Sequence, residues 1–348
     1  MQSSGGMTAA LIGSAIVAAG VVAAPHYVDL FQIMQLTVFA AMAVLALSLG
    51  FIWGYGGILC FGQTCFFGLG AYAYAVAAIN FGDSTPAIAI AILVPVAFAA
   101  LLGYFMIYGG ISDVYLGVIT LTVSLILFNL VNSTAGDFYK IGDARLGGFN
   151  GMPGVPTFNM PGDVSYILSP EEAWVATGLA LIAVYLGLRL LIASSFGRII
   201  IAIRENETRA ALLGYDPRAY KLATFMIGGA VAGFAGALYV NWGAFVSPTI
   251  FALGLSAQII IWVIIGGRGT LIGPVIGCLL MQWLVTEIGS QQTLDANFIL
   301  GAILVVFVLL VPKGIAPTLR DLALTRIRRA TPAAAETAAV ATGAKVNP

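Results

Sequence analysis

Long apolar runs, separated by short gaps that hold nearly all the charge, set the pattern of this chain. The runs fall at Met7–Ala24, Leu30–Trp53, Thr64–Asn80, Pro86–Tyr108 and Val114–Val131. After a polar segment they resume at Ala173–Ala193, Leu222–Trp242, Ile250–Ile265, Leu271–Ile288 and Phe298–Val311. A helix needs about 20 apolar residues to cross a bilayer, so the pattern predicts about ten crossings, the eighth short enough to be re-entrant. A closed barrel would instead show short alternating segments. The expected fold class is therefore all-α, a polytopic helical membrane protein.

Composition agrees. Hydrophobic residues make up 60% of the 348 and charged residues 9%, and the mean hydropathy is +1.00. Soluble domains carry about 25% charged residues, so lipid is the main solvent here. The 42 glycines suit close helix packing and interrupted helices at membrane depth. Net charge is zero, and only its distribution is informative. Arg189, Arg198, Arg204, Arg209, Arg218 and Lys221 lie in or beside one gap, and Arg268, Lys313, Arg320, Arg326, Arg328 and Arg329 follow later gaps. The positive-inside rule places these segments, and both termini, in the cytoplasm. The 132–172 segment holds Asp137, Asp143, Asp163, Glu171 and Glu172 against Lys140 and Arg145, and falls outside, as do Asp29, Asp83 and Asp295. Residues 1–312 form one membrane domain and 313–348 a cytoplasmic tail, Ala- and Thr-rich and disordered at its end. No basic residue precedes the first run, which reads as a retained span.

The polar stretch Gly197–Lys221, GRIIIAIRENETRAALLGYDPRAYK, lies within the 194–221 cytoplasmic segment. Ile199, Ile203, Asn206, Ala210 and Leu213 recur at helical intervals and predict one mostly apolar face. Glu205 and Arg209 form an i,i+4 pair off that face. Gly214 suits a left-handed helix end, and Asp216-Pro217 an N-cap and first helical residue. Pattern alone leaves two readings open, a docking handle for a cytoplasmic partner or a plain loop. The Gly266–Pro274 turn falls on the same side and completes a shared surface in the first reading. The 132–172 loop is likewise open between a lid or contact surface and a solvated connector.

Candidate chemistry is sparse. No lysine sits in a G-x-x-x-x-G-K-[ST] frame, so the chain has no P-loop of its own. His26 lies at a span boundary, and Cys60, Cys65 and Cys278 lack metal-ligand spacing, which leaves no metal site. Asp113 and Glu287 sit at span ends, where an ion-coupled carrier would need charges within the spans. Within the membrane one stretch stands apart, WGYGGILCFGQTCFFGLGAY at Trp53–Tyr72. Its glycines each weaken a helix by about 1 kcal/mol relative to Ala. Such backbone survives in lipid only against protein or a water-filled path. Gly57, Cys60, Gly62, Gln63, Thr64, Phe66 and Gly68 are thus candidates for a broken helix lining a translocation route. The alternative is that the glycines serve tight packing, as they do in the series Gly228, Gly229, Gly233 and Gly236.

Three stretches together, Trp53–Tyr72, Gly197–Leu222 and Ala230–Gly277, resemble the longer of the two paired permease subunits of high-affinity branched-chain amino acid ABC importers. The blocks AIREN, RAALLGYDP, AGFAGALY and IGGRGTLIGP occur in the family's order. The resemblance implies an inner-membrane bacterial permease that binds no cofactor and no nucleic acid. It pairs with a second homologous permease, two cytoplasmic ATPases that use ATP and Mg, and a periplasmic solute-binding protein. It further implies that the cytoplasmic helix docks on the ATPase, which assigns that role to Arg198, Ala202, Arg204, Glu205, Ala210, Leu213 and Gly214. The family usually carries Ser where this chain has Cys60. Trp53-Gly54-Tyr55, Leu213–Pro217 and Gly266–Thr270 are similar to the family's urea and short-chain amide branch, so those solutes stand as the alternative to branched-chain amino acids. The reading from another class is an ion-coupled secondary carrier.

Overall fold

Every apolar run up to Ile288 forms a helix in the computed structural model, which describes residues 4–136, 138–290, 301 and 314–318. The helices are α1 (Ser4–Ala23), α2 (Leu30–Gly54), α3 (Gln63–Phe81), α4 (Ser84–Gly103), α5 (Asp113–Asn132) and α6 (Pro170–Ala193), then the short α7 (Ser195–Glu205) and α8 (Glu207–Leu212), and finally α9 (Pro217–Gly243), α10 (Leu253–Gly266) and α11 (Ile272–Ser290). Among the described residues, six helices are long and apolar enough to cross a membrane, and three shorter apolar helices accompany them. The run Phe298–Val311, the gap at Asp295 and the tail from residue 319 lie outside the described residues.

α2 is apolar on every face and buried along most of its length, as expected of a helix enclosed by others. It packs on α9, α6 and α11, and α3, α4 and α9 form a second mutually packed group. By contrast, α4 and α5 present large apolar side chains such as Leu93, Leu101, Val118, Ile126 and Leu130 outward. These faces carry no solvating charge, as expected of helices that meet lipid or another membrane subunit.

Small residues set the helix spacing. A Cβ on Gly70 of α3 would strike the backbone of Gly233, and one on Gly233 would strike the Ala91 carbonyl and Pro95 of α4. Pro95 cannot donate to that carbonyl, so the bare α9 backbone covers the group that the proline frees. Gly236 likewise abuts the α3 backbone near Phe67 and Ala71, and Gly228 receives Ile52 of α2. The glycine series on α9 is thus a packing stripe, as its spacing indicated.

Polar connections sort to the two ends of the bundle. At one end lie the described residues of the 133–169 segment, with β1 (Lys140–Ile141) paired to β2 (Ala144–Arg145) and β4 (Asn159–Met160) to β5 (Asp163–Ile167). β3 (Met152–Pro153) pairs with β6 (Phe245–Val246), which follows α9. Asparagines pin this cover down. Asn80 donates to the Ile141 carbonyl at 2.9 Å and accepts from Asp143 N at 2.8 Å. The Asn241 side chain accepts from Phe158 N at 2.6 Å, and that of Asn159 from Ser84 N at 2.7 Å. Beside it, Asp83 caps α4 by accepting from Thr85 N, a bond that holds its carboxyl below the usual range. The opposite end gathers 55–62, 109–112, 194–216 and 267–271, where Arg204, Arg218, Lys221 and Arg268 sit.

Gly233→Val should destabilise the chain by about 3 kcal/mol through overpacking against α4. Gly187→Ala, with open space at its Cβ, serves as the control. Thermal unfolding in detergent compares the two, and equal melting temperatures would refute the packing assignment.

Candidate functional site at the interrupted helices

Two chain connections enter the bundle from opposite ends and meet in its middle. α2 stops at Gly54, residues 55–62 run without helix, and α3 begins at Gln63. The Gln63 side chain donates from Nε2 to Ser48 Oγ at 2.8 Å and to the Gly228 carbonyl at 3.2 Å. Ser48 lies six residues before the end of α2, so α3 starts about 9 Å inside that end. The break expected within Trp53–Tyr72 is therefore a re-entrant junction between two helices, not a kink inside one. From the other end, the turn Pro248–Phe251 buries Pro248, Ile250 and Phe251 and leads into the 14-residue α10. The Phe251 ring lies where a Cβ on Gly68 would be and stacks on Tyr72 at 5.9 Å. The short eighth run is thus preceded by a re-entrant segment.

Freed backbone and hydroxyls at this junction are matched to one another. Thr64 Oγ1 is 2.8 Å from Ser124 Oγ of α5 and 2.6 Å from Ser256 Oγ of α10, and Ser124 donates to the Phe251 carbonyl at 3.0 Å. Gly62 N donates to Thr120 Oγ1 at 3.3 Å, and a Cβ at Gly62 would collide with the Thr120 carbonyl. Phe66 packs edge-on to Phe225 with centroids 5.2 Å apart. Of the seven residues singled out around the break, Cys60, Gly62, Gln63, Thr64, Phe66 and Gly68 are buried within this chain, and Gly57 is half-buried. Gln63 is 1% exposed, and its Oε1 has no hydrogen-bond partner among the described residues. A cavity of about 650 Å³ opens farther along α3, lined by Leu69, Tyr72, Val76, Val131, Leu146 and Phe251 among others. Sequence reasoning missed Ser124, Thr120 and Ser256, whose partners lie far away in the chain.

The polar stretch at the basic end also differs from expectation. It forms two helices, because Asn206 adopts an extended conformation and caps α8 by accepting from Arg209 N at 2.8 Å. Asn206 therefore ends the face it was expected to join. Leu213 is also off that face, 72% exposed beside Leu212 at 84%. The buried side of the pair is Gly197, Ile200, Ile203 and Ala210. Glu205 is engaged by Arg204, in place of the expected Arg209 pairing. Arg198, Ala202 and Gly214 are exposed, and Gly214 holds the left-handed φ of 90° expected for it. Asp216 caps α9 by accepting from Arg218 N at 3.0 Å, and Pro217 is its first residue.

Arg204 joins this stretch to the helix break. Its guanidinium donates to the Gly54 carbonyl, and its stem occupies space that a Cβ on Gly57 would need. Arg268 from the α10–α11 turn lies over the Trp53 ring at 5.4 Å. Two cations thus meet the negative end of α2, where the helix dipole favours them. The two segments expected to share a surface converge on the last turn of α2.

A family model described as branched-chain amino acid transport system / permease component matches residues 30–309. The chain belongs to this permease family. The permease is 28% identical over 300 residues to the high-affinity branched-chain amino acid transport system permease protein LivM of Escherichia coli, covering 80% of this chain and 68% of that one. A probable branched-chain amino acid transport permease protein LivM of Methanocaldococcus jannaschii is 26% identical over 290 residues, covering 72% and 79%. The permease protein LivH of the same kind of system in Salmonella typhimurium is 32% identical over 146 residues, covering 41% and 45%. No solved structure matches the permease.

Thr64→Val leaves the Ser124 and Ser256 hydroxyls without their shared partner. It should cost about 1 kcal/mol, the scale of hydrogen bonds between membrane helices. Detergent unfolding measures this, and an unchanged midpoint would mean that the cluster does not hold the junction.

Proposed function

We propose that this chain is the longer permease subunit of an ATP-driven importer that carries branched-chain amino acids inward across a bacterial inner membrane. The observation that carries the reading is family membership over residues 30–309, together with an exposed helix pair tied to the α2–α3 break. In this reading the second permease is a LivH-like chain, the solute is delivered by a periplasmic binding protein, and the basic end is cytoplasmic. Energy comes from two partner ATPases. Leu212 and Leu213 expose apolar surface at the rim of α8, where an isolated soluble face would carry polar groups. Arg198, Ala202, Glu205 and Gly214 are exposed as well and, in this reading, complete the docking surface.

ATP-driven closure of the ATPases would move α7 and α8. Arg204 would carry that motion to the end of α2 and to the glycine-rich connection leading into α3. The buried hydroxyl cluster is where α3, α5 and α10 would have to shift past one another for the pathway to change sides. Gln63, whose amide oxygen is unpartnered among the described residues, is the residue we assign to the solute route, with Gly62 and Thr64 beside it.

Glu205→Arg and Gly214→Trp should each abolish solute-stimulated ATPase activity in the assembled complex and leave membrane insertion intact. Normal stimulation in both would remove the docking assignment. Leucine uptake by proteoliposomes holding the full complex with internal ATP tests the solute. Uptake of urea or acetamide in its place would move the chain to the amide branch. Accumulation by this chain alone on an ion gradient would overturn the importer reading.

A further inference from the structure

The end of the bundle that carries α7 and α8 contains an ion-pair bridge that neither the family match nor the docking surface uses. Lys221, in the second turn of α9, sets its Nζ 2.6 Å from Glu207 Oε2 and 3.7 Å from Asp113 Oδ1. Glu207 is the first residue of α8 and Asp113 the first residue of α5. Both carboxylates thus sit at helix N-termini, where the dipole favours them. The Lys221 side chain is only 16% exposed, while the carboxylates are about half exposed. The three line a small polar cavity with Arg218, Ser112 and Ile58, the last from the α2–α3 connection.

We propose that Lys221 is the positioning residue that links α8 to α5, so that displacement of α8 is passed to the helix holding the α3 and α10 breaks. Three observations carry this. Ala210 is the one buried residue of α8, so apolar packing alone ties that helix weakly to the body. One ammonium shared between two carboxylates can follow either, and half-exposed pairs contribute little to stability, which suits a movable link rather than a brace. Finally, α5 carries Thr120 and Ser124, which bind Gly62, Thr64 and Phe251 at the junction. The link therefore reaches the junction through α5, whereas the Arg204 bond goes to Gly54 at the end of α2.

The inference rests on the importer reading, and its test separates the two. Complexes reconstituted with both ATPases, the second permease and the binding protein are assayed for leucine moved per ATP hydrolysed. Lys221→Met should keep basal ATPase within about twofold and lower transport per ATP at least about tenfold, and Lys221→Arg should recover most of it. Glu207→Lys/Lys221→Glu re-forms the α8–α9 pair but sets two carboxylates together at α5, and should stay uncoupled. Adding Asp113→Lys to that pair should restore coupling. Wild-type transport per ATP in Lys221→Met overturns the assignment. So does failure of that variant to assemble, or of the triple inversion to restore coupling. A wild-type complex without solute-stimulated ATPase would instead fail the importer reading itself.

Discussion

A helix interrupted inside a bilayer must find partners for the backbone groups it frees, and the rest of this structure is arranged around that requirement. Two interruptions enter from opposite ends, and a small set of hydroxyls serves both. Thr64 stands between Ser124 and Ser256, and Ser124 also satisfies the Phe251 carbonyl. Because α5 supplies Ser124, and also the Thr120 hydroxyl that accepts from Gly62 N, it cannot shift without disturbing both breaks. The glycine stripe on α9 has the complementary task. It brings α3 and α4 close enough that their backbones, rather than long side chains, set the spacing.

The basic end shows the same economy. α2 ends in a carbonyl that Arg204 occupies, under a tryptophan that Arg268 covers. The last turn of the most buried helix is thereby reached from α7 and from the α10–α11 turn together. A push on either segment is delivered to a rigid element, and beyond it lies a connection that Gly56, Gly57 and Gly62 make able to bend. Stiff parts and yielding parts alternate along this route.

Much of this was legible in the sequence, because lipid imposes so strong a rule on composition. Uninterrupted apolar runs marked the helices, and the glycine-rich Trp53–Tyr72 marked the break. Gly214 and Asp216-Pro217 marked the helix end and start they form. What stayed hidden depended on distance or on local competition. Ser124 and Ser256 are ordinary polar residues in apolar helices until they are brought beside Thr64 by folding. Asn206 fitted the helical period, yet its side chain competes for the backbone and caps α8 instead. The strands of the 133–169 segment are mostly two residues long, too short for any alternation to show.

That last segment has a further consequence. Its glycines take left-handed backbone angles at 136, 142, 147, 148, 151, 154 and 162, its peptide groups are bound by Asn80 and Asn241 from the helices below, and its own Asn159 accepts from Ser84 N of α4. Its conformational entropy is therefore surrendered when the chain folds, not when a partner arrives. A molecule that docked on that face would meet a surface already shaped. The cost of ordering the segment would then be absent from the binding free energy.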